Sequence, residues 1–149
     1  MIVSDWRTDC KRKNAVIYKC EGVYNGGMSK DNPLRFVVQR HTRDEERPHW
    51  DLMLENGTVL ETYRVSLPPE DWGAKPVEAV RIFDHPLKFL SYEGSVNKGK
   101  GRVEIADCGT YRLIEKDETQ QQISFAGNLL KGKFKLRLIE NDKWELRGV

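Results

Sequence analysis

Histidine and carboxylate side chains are the groups in this 149-residue chain best suited to chemistry. His49 and Asp51 stand two residues apart in an alternating segment, so both side chains project from one face of a strand. If that strand pairs with the segment ending at His41, the three side chains converge across a hairpin. Two imidazoles and one carboxylate form a common metal-binding set that leaves positions open for substrate. The pattern predicts a metal site, although His-x-Asp is short and also occurs in ordinary strands.

The remaining histidine lies in the tripeptide Asp84-His85-Pro86. The proline restrains the backbone, and the neighbouring carboxylate could orient the ring or raise its pKa. His85, with Asp84 beside it, is therefore a candidate catalytic residue, and the family resemblance described below implies that role.

The elements that must position these residues are strands. Short β-branched and aromatic segments alternate with glycine, asparagine and proline, and helical periodicity is almost absent, which indicates an all-β fold. Asn56-Gly57 marks a tight hairpin, and one helical turn is expected near residues 69–73. We expect a compact antiparallel β-barrel of about eight strands. The predicted strands are residues 35–41, 49–55, 58–65, 79–83, 89–92, 102–106, 111–115, 122–126, 133–139 and 144–147.

Length and composition fit one soluble domain, with an irregular segment over residues 1–33 and the barrel over residues 34–149. No apolar run approaches the roughly 20 residues of a membrane span, and the first residues lack the apolar core of a signal peptide. We expect a cytoplasmic monomer with no membrane partner. The net charge of +2 is too small to establish a nucleic-acid partner.

Several short motifs occur in a fixed order between residues 35 and 112. They are Phe36-Val37-Val38-Gln39-Arg40-His41, His49-Trp50-Asp51-Leu52-Met53-Leu54-Glu55-Asn56-Gly57, Asp84-His85-Pro86-Leu87, Tyr92-Glu93-Gly94, Gly99 with Gly101, and Asp107-Cys108-Gly109-Thr110-Tyr111. The ordered set resembles the 3′-phosphoesterase domain of bacterial ATP-dependent DNA ligase D and its stand-alone homologues.

The resemblance implies a β-barrel that removes 3′-phosphate or 3′-ribonucleotide blocks from DNA or RNA ends during repair. It makes His41, His49 and Asp51 the ligands of a divalent ion, manganese in the family, with Zn²⁺ or Co²⁺ as alternatives. His85 would face the phosphate, and Gln39 also matches the family pattern at the substrate site. Ligase and polymerase repair proteins are the implied protein partners.

The chain departs from the family pattern where the phosphate should be contacted. Met53 stands where the family has an arginine, Phe89 where it has a tyrosine, and Phe83 where it has an acidic residue. Losing an arginine removes one of the stronger phosphate contacts a protein can make. The residues that could supply positive charge instead are Lys75, Arg81, Lys98, Lys100 and Arg102.

Three functions stay open at this level. The first is a divalent-metal-dependent phosphoesterase acting on nucleic-acid 3′ ends. The second is a catalytically impaired module that keeps the metal and binds phosphorylated ends. The third is a metal-dependent hydrolase of a small phosphoester.

Overall fold

The computed structural model describes residues 33–149, and within that part the chain forms nine strands and no α-helix. Of the predicted irregular segment 1–33, residues 1–32 lie outside the described residues. The predicted helical turn is present as a 3₁₀ turn at Pro69–Asp71. Two further 3₁₀ turns span Leu87–Leu90 and Asn97–Gly99. The strands are β1 (Leu34–Arg43), β2 (His49–Asn56), β3 (Val59–Val65), β4 (Val77–Pro86), β5 (Gly94–Val96), β6 (Gly101–Lys116), β7 (Gln120–Gly127), β8 (Lys131–Glu140) and β9 (Lys143–Gly148).

The strands form one antiparallel sheet that closes on itself. Its order is β1-β2-β3-β4-β9-β8-β7-β6-β5, and an additional pairing between β1 and β6 joins the two sides into a ring of eight strands. Strand β5 pairs with β6 outside this ring. The antiparallel fold of about eight strands predicted from the sequence is confirmed. No helix in the described part of the chain is long and apolar enough to cross a membrane.

Strand alternation gives the ring an inner and an outer face. The inner face holds the main core, to which each of the eight ring strands contributes, for example Phe36 from β1 and Leu136 from β8. A smaller apolar cluster lies on the opposite face of β1, β2, β3 and β6. It comprises Val37, Met53, Leu60, Leu90, Ile105 and Cys108, with Leu87 and Phe89 packed against them.

A segment that crosses the outer face covers this smaller cluster. We call residues 86–93 the crossing segment, because they connect β4 to β5 while β3, β2, β1 and β6 lie between those two strands. The Gln39 amide nitrogen donates hydrogen bonds to the carbonyl oxygens of Phe89 (3.1 Å) and Tyr92 (3.0 Å). At its end, the Glu93 carboxylate accepts a hydrogen bond from the Ile105 amide (2.9 Å). The prediction of a strand over residues 89–92 is therefore wrong, since these contacts hold the backbone away from any strand ladder.

The two strands predicted at residues 102–106 and 111–115 are one continuous strand, β6. Aspartate and glycine are common in turns, but Asp107 and Gly109 lie within β6 and have structural roles there. The Asp107 carboxylate is fully buried and accepts hydrogen bonds from the backbone amides of residues 108, 128, 129 and 130. Gly109 lies so close to β7 that an added Cβ would stand 2.2 Å from the Ala126 carbonyl oxygen. Close packing against β7, rather than a turn, explains the glycine.

Candidate metal centre

The β1–β2 hairpin brings together the residues predicted as metal ligands. His41 pairs directly with His49, and Gln39 pairs with Asp51. Alternation places His41, His49 and Asp51 on the outer face of the ring, the face that carries the smaller apolar cluster. One ligand atom from each of the three residues lies within 4.8 Å of the other two.

The donor atoms fit a metal ion. His41 Nδ1 lies 3.1 Å from His49 Nε2, and His49 Nε2 lies 3.5 Å from Asp51 Oδ1. Two atoms bonded to one ion at about 2.1 Å, at an angle of about 90° to 109°, lie about 3.0 to 3.4 Å apart. Asp51 Oδ1 is also buried without a hydrogen-bond partner, which is costly unless something else, such as an ion, satisfies it. Metal binding itself stays a prediction.

The surroundings of His41 favour the neutral ring that a metal requires. Burial lowers the pKa of His41, and the neighbouring His49 lowers it further. A metal binds the deprotonated imidazole nitrogen, so a lowered pKa favours coordination near neutral pH. Gly101 allows this packing, because an added Cβ would stand 2.8 Å from His41 Nε2.

His85 is held by Thr62 rather than by Asp84. The ring Nδ1 lies 2.8 Å from the Thr62 hydroxyl, and that hydroxyl donates its single proton to the Leu60 carbonyl oxygen at 3.0 Å. The arrangement that satisfies both contacts has the hydroxyl accept from His85 Nδ1–H, and this tautomer carries its lone pair on Nε2. The ring stacks on Phe83 and meets the edge of Phe89. Burial lowers its pKa, although Asp51, the Phe83 carbonyl and Asp84 raise it, the last as predicted from the sequence.

Asp84 and Arg81 bond to each other. The Arg81 guanidinium donates to Asp84 Oδ1 at 2.8 Å and to the Ile82 carbonyl oxygen at 2.6 Å. It also lies over the Tyr63 ring, which belongs to the inner core. These contacts hold Arg81 and Asp84 to each other, and Thr62, not Asp84, is the hydrogen-bond partner of His85. A phosphate contact by Arg81 stays a prediction.

The two apolar departures from the family pattern belong to the smaller apolar cluster or pack against it. Met53 is 1% exposed, and Phe89, which packs against the cluster, meets the His85 ring with its edge. Neither side chain offers a hydrogen-bond donor. Gln39 is also buried, and its amide nitrogen holds the crossing segment, while its predicted contact with substrate stays a prediction.

The other predicted cations occupy different places. Lys75 precedes β4, at the end of that strand opposite His85. Lys98 and Lys100 are exposed in the turn before Gly101, the glycine that packs against His41. Arg102 alternates with Gly101 and Val103, so its side chain points away from His41.

Arg64 is a cation at the site that the sequence analysis missed. It pairs directly with Asp51 across β2 and β3, and its Nε lies 3.6 Å from Asp51 Oδ1. The predicted turn at Asn56-Gly57 did not identify this pair. A two-residue loop of Asn56 and Gly57 would pair Asp51 with Thr62, whereas in the structure Asn56 pairs with Val59 and Asp51 pairs with Arg64.

Comparison with known proteins adds family evidence to this geometry. The family model of the DNA Ligase D 3′-phosphoesterase domain matches residues 39–138. The multifunctional non-homologous end joining protein LigD of Mycobacterium bovis is 31% identical in an alignment 116 residues long that covers 73% of this chain and 15% of that protein. The LigD protein of Pseudomonas aeruginosa is 32% identical in an alignment 111 residues long that covers 69% of this chain and 13% of that protein. The chain therefore corresponds to a small part of these relatives.

Proposed function

Because the chain belongs to the DNA ligase D 3′-phosphoesterase domain family, we propose that it is a divalent-metal-dependent phosphoesterase acting on nucleic-acid 3′ ends. Its substrates would be DNA or RNA ends blocked by a 3′-phosphate or a 3′-ribonucleotide. We propose manganese as the ion, cytoplasmic repair as the setting, and ligase or polymerase repair proteins as partners of a monomeric chain.

One observation carries this proposal. His41, His49 and Asp51 lie together on the outer face of the ring, and His85 lies on the same face, tied to β3 through Thr62. Asp51 raises the pKa of His85, so the two residues lie within electrostatic reach of each other. A retired site has no chemical reason to keep two imidazoles, a carboxylate and a further oriented imidazole on one face.

The residues present can share the work of breaking a phosphoester. An ion bound by the three ligands would supply positive charge at the phosphate oxygens. The lowered pKa of His85 makes its ring neutral at pH 7 before substrate arrives, and the negative charge of a phosphate favours its protonation. His85 Nε2 could then donate to a phosphate oxygen or to the leaving 3′-oxygen. The rings of Phe83 and Phe89 pack against the His85 ring and reduce its contact with water.

A binding module is the second candidate, and Met53 and Phe89 favour it. Both residues replace polar phosphate contacts of the family with apolar side chains, and Met53 is too buried to reach a substrate. Such a protein would keep the metal and bind phosphorylated ends without turnover.

Release of 3′-phosphate from a labelled primer annealed to a template tests the proposal. We expect Mn²⁺-dependent conversion of the 3′-phosphate to a 3′-hydroxyl by the full chain, and no conversion with chelator. Asp51→Asn should abolish Mn²⁺ binding and activity together. Asp142→Asn makes the same chemical change at an exposed turn and should retain both.

His85→Ala separates the two candidates. If the protein is an enzyme, this variant should lower kcat by about 10²-fold, the usual size for a positioned acid or oxyanion donor. Its Mn²⁺ affinity, measured by calorimetry, should stay within about threefold, since His85 is not a proposed ligand. Mn²⁺-dependent binding of 3′-phosphorylated DNA without any release would instead establish the binding module. Full activity in chelator or in Asp51→Asn would contradict both.

A further inference from the structure

We propose that Arg64 is the phosphate-contacting cation of this site and replaces, from the neighbouring strand, the arginine that the family resemblance places at position 53. The inference rests on the proposed function and adds a specificity-determining residue to it. It follows from the register of the hairpin, the free donors of the guanidinium and the engagement of the nearby alternatives.

The register of β2 and β3 shows that Arg64 lies on the strand next to position 53 and opposite Asp51. Asp51 and Met53 point to the outer face of β2, and their partners on β3 are Arg64 and Thr62. Arg64 therefore lies opposite a proposed metal ligand, and its outer-face neighbour on β3 is Thr62, the residue that holds His85. A phosphate placed between the ligands and His85 would meet the side chain of Arg64.

The guanidinium of Arg64 has N–H donors available to bind a phosphate. Its Nε lies 3.6 Å from Asp51 Oδ1, which is too long for a hydrogen bond, and its side chain is 43% exposed. An arginine presents five N–H donors in a planar fork that matches two oxygens of a phosphate. The charge of Arg64 lowers the pKa of both His41 and His85, so Arg64 lies within electrostatic reach of both ends of the site.

Two other arginines near the site are engaged elsewhere. A third, Arg43, also lowers the pKa of His41, but it lies beyond that residue at the end of β1, farther from Thr62 and His85 in the register of the strands. Arg35 forms a two-point ion pair with Glu55, with Nε and a terminal nitrogen at 2.9 and 2.6 Å from the two carboxylate oxygens. Arg81 is bonded to Asp84 and to the Ile82 carbonyl. Lys88 is exposed on the crossing segment with its Nζ 5.6 Å from the centre of the Phe89 ring, and it makes a weaker candidate because an ammonium lacks the planar fork.

A structural role makes a different prediction from a phosphate contact. If Arg64 only neutralises Asp51, its removal should strengthen Mn²⁺ binding, because a competing positive charge is lost. If it contacts phosphate, its removal should weaken binding of a 3′-phosphorylated end while a 3′-hydroxyl end is unaffected.

Arg64→Ala and Arg64→Lys in the full chain test the inference, with Arg40→Ala as the matched control. Arg40 is 42% exposed, forms an ion pair with Glu104 at the same 3.6 Å, and lies on the opposite face of β1 from His41. Fluorescence anisotropy with Mn²⁺ would compare two oligonucleotides that differ only in a 3′-phosphate or a 3′-hydroxyl. Melting temperatures establish that each variant is folded.

We expect Arg64→Ala to weaken binding of the 3′-phosphate oligonucleotide about tenfold, the lower end for a charge-assisted contact because the side chain is partly exposed. Arg64→Lys should lose less, and Arg40→Ala should reduce binding of both oligonucleotides equally or not at all. A wild-type protein that prefers the 3′-phosphate, together with an Arg64→Ala variant that keeps this preference, would overturn the role of Arg64 alone. A wild-type protein without any such preference would overturn this inference and the proposed function together.

Discussion

The hydroxyl of Thr62 should control the rate of the proposed reaction through His85. Thr62 is fully buried, and its Oγ1 lies 2.8 Å from His85 Nδ1 while it donates to the Leu60 carbonyl. Thr62→Val keeps the shape of the side chain and removes the hydroxyl. Thr62→Ser keeps the hydroxyl and removes a buried methyl group. The two variants therefore separate the hydrogen bond from the packing.

The size of the effect follows from the lost acceptor. A buried donor left without a partner costs about 1 to 3 kcal/mol, and half-burial of His85 places the cost towards the lower end, at about 1 to 2 kcal/mol. Since about 1.4 kcal/mol is a factor of ten, Thr62→Val should lower kcat about 5- to 30-fold. Thr62→Ser should lower stability by about 1 kcal/mol for the lost methyl group while its kcat stays near that of the wild type.

The assay combines Mn²⁺-dependent release of 3′-phosphate with urea unfolding and nitrogen NMR of the histidine rings. Both variants should lose about 1 kcal/mol of stability or more, but only Thr62→Val should also lose kcat, so loss of stability alone cannot explain the loss of activity. The NMR spectrum should show the Nδ1–H tautomer of His85 in the wild type and in Thr62→Ser, and a loss of that preference in Thr62→Val. Equal kcat values and the same tautomer in both variants would refute the reasoning, and the NMR comparison decides it even for a protein without turnover.

Two further predictions concern the supports of the site. Gly101→Ala should weaken Mn²⁺ binding about 10- to 100-fold by calorimetry, because the added Cβ displaces the His41 ring. In the control Gly73→Ala, the added Cβ would meet nothing nearer than 3.7 Å, and Mn²⁺ affinity should not change. Equal Mn²⁺ affinities of the two variants would contradict the proposed packing of Gly101 against His41. Asp107→Asn should lower the free energy of unfolding in urea by about 2 to 5 kcal/mol, because one of the two acceptor oxygens becomes a donor and two of its four backbone N–H partners lose their acceptor. A loss below about 0.5 kcal/mol would show that water replaces the carboxylate.

The hairpins and the face they present could be predicted from the sequence alone. The strict alternation from His49 to Glu55 and the turn at Asn56-Gly57 predict β2, β3 and the shared face of His49 and Asp51, and the strands lie where these signals put them. Both signals are local, because side-chain direction has a period of two residues and a two-residue loop fixes the register of its strands. The register itself differs from this signal, because the loop is Gly57-Thr58 and not Asn56-Gly57, so only the structure decided that Asp51 pairs with Arg64.

Only the tertiary structure decided which neighbours complete the site. Gln39 holds the crossing segment across a separation of 50 residues, and Thr62 reaches His85 across 23. The ring closes through the pairing of β1 with β6, and that closure separates a core-facing side from the face that carries the histidines. Asp84 stands next to His85 in the chain, yet its carboxylate binds Arg81. Contacts between residues far apart depend on how the whole ring packs, and sequence adjacency does not encode which polar group a side chain will meet once its strand is paired on both sides.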